Sequence, residues 1–249
     1  MEVSYRHLGV ATVLLDIAGL TIITDPCLDE ANGWKHHGWG AFSRKTTGPD
    51  AVPDPSALDV ALLSHGHHLD NLDERGRTVL ADVEPILTTS YSAQTLNGGI
   101  GLTPGDTHVL QGTEGPVTVT AVSAQHGVFP LSLIAGPVIG FVVEGPDEET
   151  VYITGDTIYT GRIREELRPH GPIDLFLPHL GQATFPYLSG PLRYTMHQDD
   201  VKQFLDVLRP RFTLPVHNTG WSHFHPVDVE GAAEDRTTVL ESSAGTVEL

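Results

Sequence analysis

Five short runs of β-forming residues in this chain each lead straight into a side chain that can bind a metal ion. "LDVALLS" runs into His65, "VTVTAVSAQ" into His126, "TVYITG" into Asp156, "IDLFLP" into His179 and "RFTLPV" into His217. Short apolar runs bounded by turn residues read as buried strands, and layered α/β proteins build their sites where the carboxyl ends of strands meet their loops. One histidine after a strand is ordinarily a surface or capping residue, and an aspartate in "TGD" is a common turn former. Five such endings together call for a fold that gathers strand ends along one edge. Imidazole and carboxylate donors without thiolate suit Zn²⁺, and also Mn²⁺ or Fe²⁺.

The remaining organisation is compatible with such a fold. "ATVLLDIAG" and "LTIITDP" read as strands joined at Ala18-Gly19, a hairpin signal. Residues 32–55, rich in Gly, Pro, Trp and His without a clean period, read as a long loop or lid of the kind that serves a site. "PILTT", "GPVTVTAVSA" and "GPVIGFVVEG" are further strands. "NLDERGRTVLADV", "GRIREELRPHG" and "DDVKQFLDVLRP" read as helices, the second ended by Gly171 and the third by Pro210. No low-complexity tract or linker divides the chain, so residues 1–249 are read as one domain of two sheets covered outside by helices.

Composition narrows the function. Fourteen Lys and Arg against 32 Asp and Glu give a formal charge of −18, a surface that repels polyanions, since nucleic-acid binding depends on cations neutralising phosphates. Cys27 is the single cysteine, so neither an internal disulfide nor a thiolate metal site is available. "MEVSYRHLGV" lacks the basic and apolar regions of a secretory signal, and no apolar run approaches the ~20 residues that span a bilayer. A cytoplasmic protein acting on a small molecule is expected, without nucleic acid or membrane, and with self-association left open.

The densest ligand cluster is "LLSHGHHLDNLD", residues 62–73. Together with "HLGVATVLLDIAGLTIITDP", "SAQHG", "VYITGDT" and "LPVHNTGWSHF", in that order and spacing, it resembles the metallo-β-lactamase superfamily, most closely the branch holding the L-ascorbate-6-phosphate lactonases. The resemblance implies an αββα sandwich of two mixed β-sheets flanked by helices, with ligands from loops at one sheet edge. The family's usual first motif is H-x-H-x-D-H. Aligned from His65-x-His67, that motif puts Leu69 at the carboxylate position, and leucine cannot bind a metal. Aligned from His68-x-Asp70, it keeps the carboxylate, and the string then resembles a subset reading H-x-x-H-x-D-N-L-D.

On that register the resemblance implies that His65, His68 and His126 hold one ion. Asp70 and His217 hold a second, with Asp156 bridging. His67 is left as a supporting or surface residue. Asn71 stands where the family has its last histidine and weakens the second position, which His179 or water would have to complete. Asp25 either supports the histidine loop or simply turns the chain before Pro26. A bound metal lowers the pKa of water from ~16 to about 7 and supplies hydroxide at neutral pH. Asp70 would then orient that hydroxide and accept its proton. His223 would bind substrate or protonate the leaving group, unless it only packs beside Trp221. His36 and His37 are read as exposed loop residues rather than lid lining, His197 as a helix cap, and His7, His108, His170 and His225 receive no role. The expected activity is hydrolysis of a small ester, lactone or phosphoester with one or two ions. The alternatives are a phosphodiesterase and a non-hydrolytic, accessory metal-binding homologue.

Overall fold

A computed structural model describes residues 2–31, 33–38, 40–241 and 244–249. Among these residues two seven-stranded sheets dominate. The first runs, edge to edge, Ala244–Glu248, Glu2–Gly9, Thr12–Ile17, Leu20–Thr24, Val60–Leu63, Ile86–Thr89 and Gly99–Leu102. The second runs Thr238–Val239, Phe212–Thr213, Leu175–Leu177, Thr150–Ile153, Ile139–Glu144, Pro116–Ser123 and Thr107–Gln111. Each is half antiparallel and half parallel. In the first sheet the change comes at Leu20–Thr24, which pairs antiparallel with Thr12–Ile17 and parallel with Val60–Leu63. In the second it comes at Thr150–Ile153.

The period of two along a strand explains the layering. In Val60–Leu63 every residue is buried. Val60 and Leu62 enter the core between the sheets, beside Phe141, Ile153 and Leu177 of the other sheet. Ala61 and Leu63 face outward into a second cluster with Val79 and Leu80 of the helix Glu74–Leu80. Strands covered on both faces read as continuous apolar runs, which is why "LDVALL" shows no alternation. On the far side, Tyr152 and Phe176 pack against Phe204 and Leu205 of the helix Gln198–Leu208 and Ile163 and Leu167 of the helix Gly161–Leu167. The helix–sheet–sheet–helix order expected from the resemblance is the order found.

Several local expectations are corrected. The helix expected through "NLDERGRTVLADV" spans only Glu74–Leu80. Asp73 is its N-cap, its carboxylate accepting from the Gly76 N–H, so Asn71 and Leu72 belong to the histidine loop. "RFTLPV" contributes only Phe212–Thr213 to the ladder, because Pro215 has no N–H to donate; Val216 rejoins through an isolated bridge to His179. Between Trp34 and Arg44 the expected lid holds a small hairpin, Trp34–His36 paired with Phe42–Arg44; Asn32 and Trp39 lie outside the described residues. The Ala18-Gly19 turn is as read, both residues having positive φ (50° and 75°), the geometry of a type I′ hairpin turn. His197 caps its helix in a reciprocal capping box with Asp200. No helix among the described residues is long and apolar enough to cross a membrane.

Candidate metal centre

The parallel strands of both sheets deliver their carboxyl ends to the same edge, and the site forms there. His65 follows Val60–Leu63 and is held from behind: the Ser64 backbone N–H donates to Asp25 Oδ1 at 2.7 Å. Asp156 follows Thr150–Ile153 through Gly155, whose φ is +60°. A Cβ at Gly155 would stand 2.6 Å from the Ile139 carbonyl oxygen and 2.8 Å from Ser64 Cβ, so only glycine fits where the two sheets come this close. His217 holds a positive φ of 55° and donates its N–H to the Val10 carbonyl at 2.6 Å.

Two clusters result. His65, His68, His126 and Asp156 bring one donor atom each into a mutual 4.8 Å sphere, as do Asp70, Asp156 and His217. In the first, His68 Nδ1 lies 3.1 Å from His65 Nε2 and 3.0 Å from His126 Nε2. Asp156 Oδ2 is 3.9 Å and 3.5 Å from those two Nε2 atoms. The outward nitrogens are anchored: His126 Nδ1 donates to the Tyr194 carbonyl at 3.0 Å, and His65 Nδ1 is 2.9 Å from Ser64 Oγ. Such anchoring sets the tautomer that leaves the inner nitrogen free to ligate.

Electrostatics agree with a cation cradle. Burial, then the neighbouring imidazoles, push His65 and His68 well below the ordinary histidine pKa, so both are neutral bases. Burial opposes the charge on His217, but Asp156 and Asp70 outweigh it and hold the ring up to about 9. Burial likewise works against ionised Asp70, yet the His217 ring 3.6 Å away and the hydrogen bond from His223 keep its carboxyl well below the usual range. Asp70 Oδ1, Asn71 Oδ1, His217 Nε2 and His223 Nδ1 are buried with no partner. Buried polar atoms are rarely left unpaired, and a cation held by imidazole and carboxylate would satisfy the His217 atom among them. The residues present therefore fit a metal.

The other candidates separate cleanly. His67 turns away, its Nε2 donating to the Ala135 carbonyl at 2.8 Å. His179 does not complete the second cluster, which corrects that option: its Nε2 donates to Asp25 Oδ2 at 2.9 Å and its Nδ1 is 3.4 Å from Thr154 Oγ1. Asp25 thus braces both the His65 loop and His179. Asn71 is fully buried and faces the cluster, its Nδ2 donating to Asp156 Oδ1 at 3.3 Å. His223 Nε2 donates to Asp70 Oδ2 at 3.2 Å, and its ring stacks on Phe185 with centroids 4.6 Å apart.

His37 corrects the reading of the lid. It lines the cleft over the metal centre, 5.2 Å from the His223 ring and 5.1 Å from Trp221, and burial lowers its pKa to about 4. Phe185, Leu188 and Tyr194 form another wall. They come from residues 180–197, a span with neither helix nor strand. The absence of a period was the only sign, the same one that marked the lid.

Residues 21–218 match the beta-lactamase superfamily domain; the chain belongs to that superfamily. A UPF0173 metal-dependent hydrolase of Opitutus terrae is 29% identical over 224 residues, covering 85% of this chain and 82% of that protein. One from Carboxydothermus hydrogenoformans is 26% identical over 232 residues, covering 86% and 84%. In fold, the chain is similar to the crystal structure of a possible metal-dependent hydrolase from Veillonella parvula, with a TM-score of 0.81 at 20% identity and full coverage of both chains.

Position 71 gives a direct test. Asn71→His is expected to tighten the second metal position by roughly 10–100-fold, since imidazole is the better Zn²⁺ donor. Competitive chelation of wild type and variant would read this. Equal affinity for the second ion would remove Asn71 from the metal wall.

Proposed function

We propose that this chain is a metal-dependent hydrolase of a small-molecule ester, lactone or phosphoester, working with one or two ions, Zn²⁺ first and Mn²⁺ or Fe²⁺ as the alternatives. The supporting observation is the convergence of two buried imidazoles, a half-buried one and a buried carboxylate beneath a cleft that also holds the paired Asp70 and His223. His65, His68, His126 and Asp156 would hold the first ion, and Asp70, Asp156 and His217 the second. When bound, the metal would supply Lewis acidity and a water acidic enough to ionise near neutral pH.

The side chains supply the rest. Asp70 has one oxygen engaged by His223 and the other without a partner, so Oδ1 can orient water and take up its proton. His223 donates from Nε2 to Asp70 and leaves Nδ1 unpaired; as the imidazolium it can pass a proton to the leaving group. Phe185 holds its ring plane by stacking. Asn71 fixes the Asp156 carboxylate through its amide. The motif resemblance to the lactonase-like branch supports the lactone among these substrates.

Purified protein is expected to carry between about one and two transition-metal ions per chain, by elemental analysis, given the two donor clusters. Chelation should remove ester turnover and metal should restore it. Absence of metal after reconstitution would overturn the reading. His223→Ala is expected to lower kcat by roughly 10²–10⁴-fold with metal content unchanged, and loss of metal in that variant would show a ligand instead. Asn71, an amide where the family has imidazole, favours a second reading, a metal-binding homologue without hydrolytic activity. Full metal content with no turnover of any ester or phosphodiester would establish it.

A further inference from the structure

The cleft walls say more about the substrate than the metal ligands do. Apart from the site residues, the cleft is lined chiefly by His37, Ile134, Ala135, Phe185, Leu188 and Tyr194, and no described lining residue is Lys or Arg. Cations on the surrounding elements are engaged elsewhere. Lys45 pairs with Asp73 at 2.9 Å, Arg193 with Asp200 at 2.7 Å, Lys35 with Asp29 at 3.4 Å, and Arg77 donates to the Gly66 carbonyl. Arg44 is exposed and lines no part of the cleft.

A phosphomonoester carries about two negative charges. Metal ions on the floor could meet the reacting oxygens. Any further anionic group would be desolvated against aromatic and aliphatic side chains, a burial that costs heavily without a paired cation, on a chain whose net charge is already −18.

Size and shape point the same way. The cleft encloses about 60 Å³, room for a few water-sized groups. Two of its wall residues reach solvent, Ile134 at 52% and Leu188 at 38% exposure. The apolar wall therefore continues from the cleft to the surface, a path that an apolar substituent can follow outward.

We propose that the cleft selects a small, uncharged carboxyl ester or lactone bearing an apolar substituent and rejects phosphorylated and other anionic compounds, a narrowing that rests on the hydrolase reading above. Water adds its oxygen to the carbonyl carbon and the ester C–O bond breaks. The leaving alkoxide takes a proton from His223, and Asp70 receives the proton released by the water. The products are an alcohol and a carboxylic acid, which departs as carboxylate and a proton.

The test compares p-nitrophenyl acetate, butanoate and hexanoate with bis(p-nitrophenyl) phosphate on the zinc-loaded full chain, each rate corrected for its uncatalysed reaction. Corrected kcat/KM is expected to be at least about 100-fold higher for the neutral esters than for the anionic diester. It should rise by about 3–4-fold per added methylene, and Leu188→Asp should flatten that rise. Calorimetry with N-butylacetamide and with phenyl phosphate reads binding without turnover. Binding of the amide alone, with no ester turned over, would overturn the hydrolase reading and uphold the selectivity. Preferred turnover of the phosphodiester, tighter binding of phenyl phosphate, binding of neither probe, or no dependence on chain length would overturn the selectivity and leave the hydrolase reading standing on its metal content.

Discussion

His68→Ala is expected to weaken metal binding at the three-imidazole cluster by at least roughly 100-fold, while His67→Ala changes it by less than about tenfold. The two histidines are adjacent, and their rings are only 4.3 Å apart, yet they have opposite fates. His68 Nδ1 sits between His65 Nε2 and His126 Nε2, so truncation removes the central donor. His67 instead donates to Ala135 on the cleft wall, and its loss touches substrate packing first. Isothermal titration of the two apo variants with Zn²⁺ measures both effects. The reverse order would restore the H-x-H register and displace Asp70 from its role, since that register leaves Leu69 where a carboxylate must be.

Lys45→Ala is expected to destabilise the fold by about 3–5 kcal/mol, the cost of leaving a buried charge without its partner. For a chain of this size that corresponds to a fall in Tm of roughly 6–20 °C. Lys45 and Asp73 are 1% and 2% exposed. The ammonium also donates to the Cys27 carbonyl at 3.0 Å. Asp73 meanwhile accepts from the N–H groups of Leu28 and Asp29 and caps the helix Glu74–Leu80. One ion pair thus ties the lid to the histidine loop and to the turn after Asp25, while Lys45 forms a backbone bridge to Trp221. Thermal unfolding with the metal-free protein gives the readout. A shift below about 1 kcal/mol would mean that the pair behaves as an exposed one.

The resemblance carried by "SHGHHLDNLD" and its companions specified the layer order, and the comparisons place the chain in that superfamily. The strands Val60–Leu63, Ile86–Thr89 and Ile139–Glu144 were legible because both their faces are largely buried and their residues are mostly apolar, with only Thr88, Thr89 and Glu144 polar. Edge strands such as Gly99–Leu102 and Ala244–Glu248 were not. They are short and glycine-bearing, and their pairing comes from a neighbour's open hydrogen-bond edge more than from their own side chains.

Donor chemistry was settled by residue type alone. One cysteine and a set of histidines and aspartates at strand ends dictate an imidazole–carboxylate site, and Leu69 rules out one register because its side chain has no lone pair. What each donor faces was decided by tertiary structure. His179 has the same strand-end position as His65 but is turned toward Asp25, and Asn71 reaches Asp156, 85 residues away. The cleft walls, His37 and Phe185 among them, come from segments without period, whose paths are set by what they pack against. Local patterns record which side of a strand is dry and which residues can bind a metal. The direction of a ring at a strand end depends on hydrogen-bond partners that the fold brings from elsewhere in the chain, and no local pattern encodes them.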